Sequence, residues 1–202
     1  MSTEEIKRKG EESASFEKSV MLYLHDLVHL LAVVMIVFVL LFRVVIVSGS
    51  SMYATLNDGD WLLVTGSVFY HDPQYGDIIV ASKESFNRGE PIIKRVIATE
   101  GQTVDIDFIT GIVYVDGVAL EEDYTYTPTN IQEGIVFPIT IAEGCIFAMG
   151  DNRNGSRDSR DPSIGMIDKR EILGKALLLV FPGTGEEDFP AKRDFGRIGV
   201  LK

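Results

Sequence analysis

Two residues of this sequence suggest covalent catalysis by their types and surroundings. Ser51 lies four residues past the end of a long apolar stretch, among the other hydroxyl residues of the segment 47–56. Lys94 lies within a short β-branched run, residues 91–97. A lysine packed against apolar groups loses hydration, which disfavours the ammonium form and lowers the pKa of the amine. A neutral amine can accept the proton of a serine hydroxyl and so generate a nucleophile.

Each feature taken alone also fits an ordinary structural role. Serines are common after apolar spans, and Lys94 with Arg95 fits two solvated charges on an edge strand. The polar run 150–160 is rich in turn-forming residues, and it fails the EF-hand pattern because glycine, not aspartate, takes the first position. A Ser/His/Asp triad would have to recruit His71, the only histidine beyond the apolar stretch.

The apolar stretch before Ser51 is the element that must position it. Residues 27–47 are apolar apart from one histidine and one arginine. As a helix they would cover ~31 Å, which matches a bilayer core of ~30 Å. Basic residues are concentrated before the stretch, which places the N-terminus in the cytoplasm by the positive-inside rule. We predict three parts: a flexible cytoplasmic tail over 1–20, a single transmembrane helix as anchor over 21–47, and an exported β catalytic domain over 48–202.

Beyond the apolar stretch, the pattern is that of a mostly β domain with many short strands. An Asp-Gly pair at 116–117 stands between two apolar runs and predicts a hairpin within residues 112–120. Residues 121–134 are polar and acidic and predict a surface loop, and residues 169–173 predict one helical turn. Short β-branched or apolar runs predict further strands at 60–64, 77–81, 91–97, 135–141, 144–149 and 175–181.

Composition narrows the classes of partner. The chain has 19 basic and 30 acidic residues and a formal net charge of −11, so we expect no nucleic-acid partner, which would need a basic face. Cys145 is the single cysteine, so no internal disulfide can form, and its apolar surroundings favour a buried structural thiol. His25 and His29 share a helical spacing but have no further ligands near them, so we expect no metal.

Four segments carry a further signal, namely residues 51–56, 76–80, 94–97 and 150–160. Together and in this order, they resemble the sequence boxes of bacterial type I signal peptidases. The resemblance covers the apolar stretch and most of residues 45–181. It implies a membrane-bound serine endopeptidase with a fold of antiparallel β-sheets and no cofactor. It also implies two partners, the signal peptides of exported preproteins and the lipid bilayer, and a catalytic domain on the extracytoplasmic side of the cell membrane.

Carried over position by position, the resemblance assigns a role to each residue of a Ser/Lys dyad and its support. Ser51 would be the nucleophile and Lys94 the general base. Ser156 would form a hydrogen bond with the Lys94 amine and orient it. Asp158 and Arg160 would brace the site, as an ion pair.

The same resemblance implies an oxyanion hole and pockets for the substrate. The backbone N–H of Ser51 would stabilise the oxyanion, and Gly49 stands where some members add a hydroxyl, so no side chain can help from that position. Shallow pockets for small residues, usually alanine, would be lined by Met52, Ile93 and Val47. One departure is Ala54 in place of a usual proline, which makes the turn after the nucleophile less rigid.

Two other interpretations stay open. One is a Ser/Lys peptidase with a narrower task, such as the maturation of a pilin or another dedicated cargo. The other is a non-catalytic anchored relative that binds signal peptides. Competition between preproteins separates the first from a general signal peptidase, and a serine-reactive probe separates the second.

Overall fold

The computed structural model describes residues 3–184 and 193–201. The chain divides into two units whose boundary lies between Leu41 and Phe42. The first unit contains the helix α1, Thr3–Leu41. The last 24 residues of α1 are long and apolar enough to cross a membrane, by length and composition alone.

Two boundaries of the predicted anchor differ from the structure. Residues 3–20, predicted as a flexible tail, belong to α1. The helix ends at Leu41, whereas the predicted span continued to residue 47. The segment Phe42–Ile46 instead forms strand β1, which pairs antiparallel with β2, Trp61–Thr65. The apolar run continues past Leu41 with similar residue types, and the feature that distinguishes residues 42–46 is their antiparallel pairing with β2.

The second unit is built on a large antiparallel sheet, which confirms the predicted fold class. The strand order is β1-β2-β11-β3-β4-β9-β10, and β12 pairs with β11 beside this path. Within the described residues β1 is therefore an edge strand. The further strands of this sheet are β3 (Ile78–Ser82), β4 (Pro91–Thr99), β9 (Cys145–Met149), β10 (Ile167–Asp168), β11 (Ile172–Phe181) and β12 (Gly199–Val200).

A smaller antiparallel sheet, in the order β7-β6-β5-β8, follows β4 in the chain. Its strands are β5 (Thr103–Asp107), β6 (Ile112–Val115), β7 (Val118–Ala119) and β8 (Ile139–Thr140). The predicted hairpin is confirmed: Asp116 and Gly117 join β6 to β7 with φ angles of 53° and 79°. Positive φ at both central residues is what a two-residue hairpin turn of this kind requires.

The other predictions of local structure meet mixed outcomes. The predicted helical turn is present as the 3₁₀ segment Lys169–Glu171, capped by Asp168. The loop 121–134 carries no regular element. The strand predicted at 135–141 is reduced to β8, and β5 was not predicted although Thr103–Asp107 alternates buried apolar with more exposed polar side chains. The remaining 3₁₀ segments are Ser67–Phe69, Asn87–Gly89 and Phe195–Arg197.

One of the hydrophobic clusters anchors the segment around Ser51. Met52 and Leu56, four residues apart, are both fully buried, and the Leu56 N–H donates to the Met52 carbonyl. They pack with residues of β2, β3 and β4. Burial of two such side chains contributes roughly 1.5–3 kcal/mol each. The turn that carries Ser51 is therefore fixed to the core of the large sheet.

Candidate active site

Ser51 and Lys94 meet at the start of the large sheet's β4. The Lys94 Nζ lies 2.8 Å from the Ser51 Oγ, although the two residues are 43 positions apart in the chain. Ser51 comes from the turn after β1 and is half-buried, while Lys94 is 3% exposed. The structure thus brings together the two residues predicted as a dyad, at a distance that allows direct proton transfer.

Burial governs the protonation of Lys94. It lowers the pKa of the amine from 10.5 to about 8, because the ammonium form loses its hydration. The carboxylates of Asp158, Glu133 and Asp151 act in the opposite direction, and Arg160 lowers the pKa further. The amine also donates to the backbone carbonyl of its neighbour in β4 at 2.9 Å, which fixes its direction.

The backbone of Ser51 is held by the polar run 150–160. The Ser51 carbonyl accepts from the Asn152 N–H at 3.1 Å, and the Asn152 side-chain amide donates to the Ser50 carbonyl at 3.1 Å. Gly150 lies directly against this turn: a Cβ there would lie 2.4 Å from the Ser51 carbonyl oxygen and 2.2 Å from the Ser156 Oγ. Only glycine allows this approach without a shift of the backbone.

Ser156 is buried beside the dyad but does not make the expected hydrogen bond. Its hydroxyl donates to the Arg157 carbonyl at 3.4 Å, and within the described residues no hydrogen bond joins it to the Lys94 amine. In this structure the amine donates to the Ile93 carbonyl instead, and the role of Ser156 in orienting the amine stays a prediction. The reason is local, because the Ser156 hydroxyl is turned toward the backbone of the next residue.

Asp158 and Arg160 form the expected ion pair, fully buried. Two hydrogen bonds of 2.8 Å join the guanidinium to the carboxylate. The second oxygen of Asp158 also accepts from the Gly150 N–H at 3.0 Å, and Arg160 donates to the Arg153 carbonyl at 2.6 Å. The pair therefore fixes both ends of the run that supports Ser51. Its role in catalysis stays a prediction.

Arg95 and Asp151 form a second buried ion pair, which sequence reasoning missed. Arg95 donates to both carboxylate oxygens of Asp151, at 2.9 and 2.7 Å. Asp151 also accepts from the Thr55 hydroxyl, and the Arg95 guanidinium stacks 4.0 Å from the centre of the Tyr124 ring. A signal was present: neighbours in a strand point in opposite directions, so Lys94 toward Ser51 implies Arg95 away from it.

A cleft of about 500 Å³ lies against the dyad. The three residues predicted to line substrate pockets, Val47, Met52 and Ile93, all lie on its wall. Its remaining lining is mostly aliphatic, and Glu90 and Arg157 add charged side chains. The remaining members of the lining are Val45, Ile46, Ser48, Phe86, Pro91 and Ile92, together with the dyad itself.

Comparison with known proteins shows which family this chain matches. The model of the family described as signal peptidase, peptidase S26, matches residues 20–181. The chain is 39% identical over 145 residues to the probable signal peptidase I-1 of Synechocystis sp., which covers 68% of this chain and 70% of that protein. It is 34% identical over 150 residues to signal peptidase I T of Bacillus subtilis, with 70% and 75% covered.

A crystal structure of a signal peptidase I from Enterococcus faecalis is also similar, with a TM-score of 0.42, 30% identity, and coverage of 52% of this chain and 96% of that one. The family match contains Ser51, Lys94 and the whole run 150–160. It agrees with the resemblance that those segments carry in the sequence. The chain belongs to the signal peptidase family, peptidase S26, and is a type I signal peptidase by its relatives.

Proposed function

We propose that this chain is a membrane-anchored serine endopeptidase that removes N-terminal signal peptides from exported preproteins, with Ser51 as nucleophile and Lys94 as general base. The observation that carries the proposal is the 2.8 Å contact between a buried amine and a half-buried hydroxyl at the wall of an apolar cleft. Family membership supports the reaction class.

In the first step, neutral Lys94 accepts the proton of Ser51 while the Ser51 Oγ attacks the carbonyl carbon of the scissile bond. The negative charge that develops on the carbonyl oxygen would be stabilised by the Ser51 N–H. The Lys94 ammonium then donates its proton to the leaving nitrogen, which becomes the N-terminus of the mature protein. The signal peptide remains as an ester on Ser51.

In the second step, water replaces the departed amine beside Lys94. Lys94 accepts a proton from the water, whose oxygen attacks the ester carbonyl, and the same amine returns the proton to the Ser51 Oγ as the signal peptide leaves. The lowered pKa of the Lys94 amine suits its use as both a base and an acid in these steps. An amine with a pKa of about 8 is neutral in a far larger fraction at pH 7 than one at 10.5, by about two orders of magnitude.

The walls of the cleft suit an extended peptide. On one side, β1 is an edge strand with a single partner among the described residues. On the other, residues 91–94 pair with β3, but pairing of β4 with β9 begins only at Arg95. Backbone groups on both walls are thus placed to pair with a bound strand. The aliphatic lining near Ser51 favours small apolar side chains beside the scissile bond.

The proposed topology places the N-terminus in the cytoplasm and the catalytic unit on the extracytoplasmic side. The apolar helix Lys18–Leu41 supports anchoring, and the lysines and arginines that precede it support this orientation. Ser51 follows Leu41 by ten residues, so the chain can extend at most ~35 Å between them. A substrate whose own apolar segment is held in the bilayer presents its peptide bond within that reach.

The test is the processing of a reporter preprotein by the full chain in detergent, read by N-terminal sequencing of the product. We expect cleavage after a small residue by the parent protein and none by Ser51→Ala or Lys94→Ala. Ser67→Ala and Lys169→Ala, which lie outside the cleft, are the matched controls. Normal processing by either dyad variant contradicts the proposal. Competition with a dedicated cargo and labelling by a serine-reactive probe address the narrower and non-catalytic interpretations.

A further inference from the structure

Ser51 lies in the segment 47–60, which we call the Ser51 loop and which closes on itself at its two ends. The Val47 N–H donates to the Asp60 carbonyl at 2.8 Å, and the Gly59 N–H donates to the Val47 carbonyl at 2.9 Å. Ala54 brings no proline ring to restrict the backbone of this loop. The conformation of the loop therefore depends on the contacts that other parts of the chain make with it.

The C-terminal segment, residues 193–201, makes such a contact through Arg197. The Arg197 guanidinium donates to both carboxylate oxygens of Asp60, at 3.0 and 2.6 Å. Its Nη2 also donates at 3.2 Å to the carbonyl of Thr55, four residues past Ser51. One side chain thus holds the Ser51 loop at two points, at its end and close to the nucleophile.

The Asp60 carboxylate is fully buried and accepts from three different segments. Besides Arg197, it accepts from the Asn57 N–H at 2.8 Å and from the Gly183 N–H, two residues past β11, at 2.7 Å. A buried carboxylate is costly unless a cation compensates its charge, and Arg197 provides that cation. The pair therefore joins the Ser51 loop to the C-terminal segment through charge as well as hydrogen bonds.

Thr55 is held from two directions. Its hydroxyl donates to the carboxylate of Asp151, which is paired with Arg95, the neighbour of Lys94 in β4. Its carbonyl accepts from Arg197 on the C-terminal segment. A shift of Thr55 would be transmitted to the nucleophile through the short turn that joins them.

The C-terminal segment has a fixed backbone from which Arg197 can act. β12 pairs antiparallel with β11, and Leu201 packs against the hydrophobic cluster that contains Met52. The Asp194 side chain caps the 3₁₀ segment that contains Arg197. The guanidinium therefore projects from a supported position toward the Ser51 loop.

We propose that Arg197 is a positioning residue for acyl transfer, which holds the Ser51 loop so that the Ser51 Oγ stays against the Lys94 amine; this inference rests on the proposed function. Arg197 acts through Thr55 and Asp60, which accept its hydrogen bonds. Loss of these bonds would let the hydroxyl move relative to the amine, and small displacements at a reacting group slow the chemical step.

Substrate binding should respond less than the chemical step. Val47 and Met52, the two residues of the Ser51 loop that are predicted to line substrate pockets, are buried in the core of the large sheet. Ile93, the third predicted pocket residue, lies in β4, outside the loop. The pockets therefore keep their support when Arg197 is removed, and the effect should appear in kcat and not in KM.

The experiment measures kcat and KM for a reporter preprotein with the full chain in detergent. For Arg197→Ala we expect kcat to fall by roughly 10-fold and KM to change by less than about twofold. Arg193→Ala is the matched control from the same segment, because the Arg193 guanidinium donates to the Pro182 carbonyl at 2.9 Å and lies 4.7 Å from the centre of the Phe181 ring, outside the Ser51 loop. This control should keep the parental kinetics.

Addition of guanidinium ion distinguishes positioning from a general loss of stability. Arg197 is 21% exposed, so the space that Arg197→Ala leaves is open to solvent. Guanidinium chloride, at concentrations far below those that unfold proteins, should raise kcat of this variant several-fold, because the ion can donate to the same oxygens. A variant that is only less stable would lose activity in this denaturant. Sodium chloride at the same concentration is the control and should have no such effect.

Parental kcat in a folded Arg197→Ala variant, a change confined to KM, or a loss of rate that guanidinium ion does not reverse overturns the inference. Should Arg197→Ala not fold, Arg197→Lys keeps a cation beside Asp60. The lysine amine ends one bond short of the Arg197 Nη atoms, so kcat should still fall, and parental kcat in this variant also overturns the inference.

Ser51→Ala separates this inference from the proposed function. If Ser51→Ala processes the reporter normally, the proposed function is wrong. If Ser51→Ala is inactive and Arg197→Ala has the kinetics of the parent protein, only the role of Arg197 is wrong.

Discussion

Arg95 and Asp151 are joined by two hydrogen bonds of 2.9 and 2.7 Å, with both side chains almost completely removed from solvent. Arg95 is the direct neighbour of Lys94 in β4, and Asp151 is the direct neighbour of Gly150, which contacts the Ser51 backbone. The pair therefore ties the strand that carries the base to the loop that supports the nucleophile. It lies on the opposite side of β4 from the dyad, because neighbouring side chains in a strand point in opposite directions.

Breaking this pair on one side should destabilise the protein strongly. For Arg95→Met we expect a loss of about 3–5 kcal/mol in the free energy of unfolding, because Asp151 would remain as a buried charge without its cation. Chemical unfolding of the full chain in detergent measures it. Arg170→Met is the control, since Arg170 is exposed and solvent screens its pair with Asp168, so its loss should change the stability little. Equal effects of the two substitutions would contradict the assignment.

Gly150→Ala should impair catalysis more than it impairs folding. The new methyl group would overlap the Ser51 carbonyl and the Ser156 hydroxyl, so the turn carrying the nucleophile must shift. A displacement of about 1 Å at a reacting group costs on the order of 100-fold in rate, and we expect kcat/KM to fall by about that factor. Gly199→Ala is the control, because its methyl group would meet nothing within 4 Å. Near-parental kinetics for Gly150→Ala would show that the site tolerates the shift.

Activity should rise with pH through a midpoint near 8. The active form of Lys94 is the neutral amine, and the pKa of this group is about 8, so protonation below that pH removes the base. Rates of preprotein cleavage measured from pH 6 to pH 10 should show this limb. Lys94→Arg should be inactive over the whole range, because a guanidinium does not deprotonate in proteins. A flat profile for the parent protein would argue against an amine base.

Lys94→Met should be inactive and more stable than the parent protein. A lysine whose pKa is lowered by burial costs folding energy at every pH below its unfolded-state pKa, because the folded chain binds the proton more weakly than the unfolded chain does. The gain from methionine should therefore be full below about pH 8 and fade as pH rises toward 10.5, the value for the unfolded chain. We expect roughly 1–3 kcal/mol at neutral pH. Unfolding curves at pH 7 and pH 10 measure it, and a gain that grows with pH contradicts this account.

Much of the fold was predictable because its signals are local. The Asp-Gly pair at 116–117 predicts a hairpin turn from two residues. The β-branched run that includes Lys94 predicts a strand from a few more. The end of α1 was not predictable from apolarity alone, because residues 42–46 are as apolar as the helix before them. What decides their structure is pairing with β2, a partner that hydrophobicity does not identify.

The candidate site was also predictable only where its signals are local in the sequence. The dyad could be predicted from residue types and the order of the segments. The Arg95–Asp151 pair joins residues 56 positions apart, and it depends on which side of β4 the Arg95 side chain faces. Glu133 lay inside a segment predicted as a surface loop, yet its side chain is largely buried. The direction of the Ser156 hydroxyl is a matter of one rotatable bond, which no sequence pattern determines.

The open backbone edges on the two walls of the cleft have a consequence for turnover. If the signal-peptide part of the substrate pairs with β1 and with residues 91–94, it keeps those hydrogen bonds after the scissile bond is broken. The cleaved signal peptide would then leave slowly and compete with fresh preprotein. Accumulated product should therefore inhibit the enzyme, and prompt removal of spent peptides from the membrane would determine how fast it works.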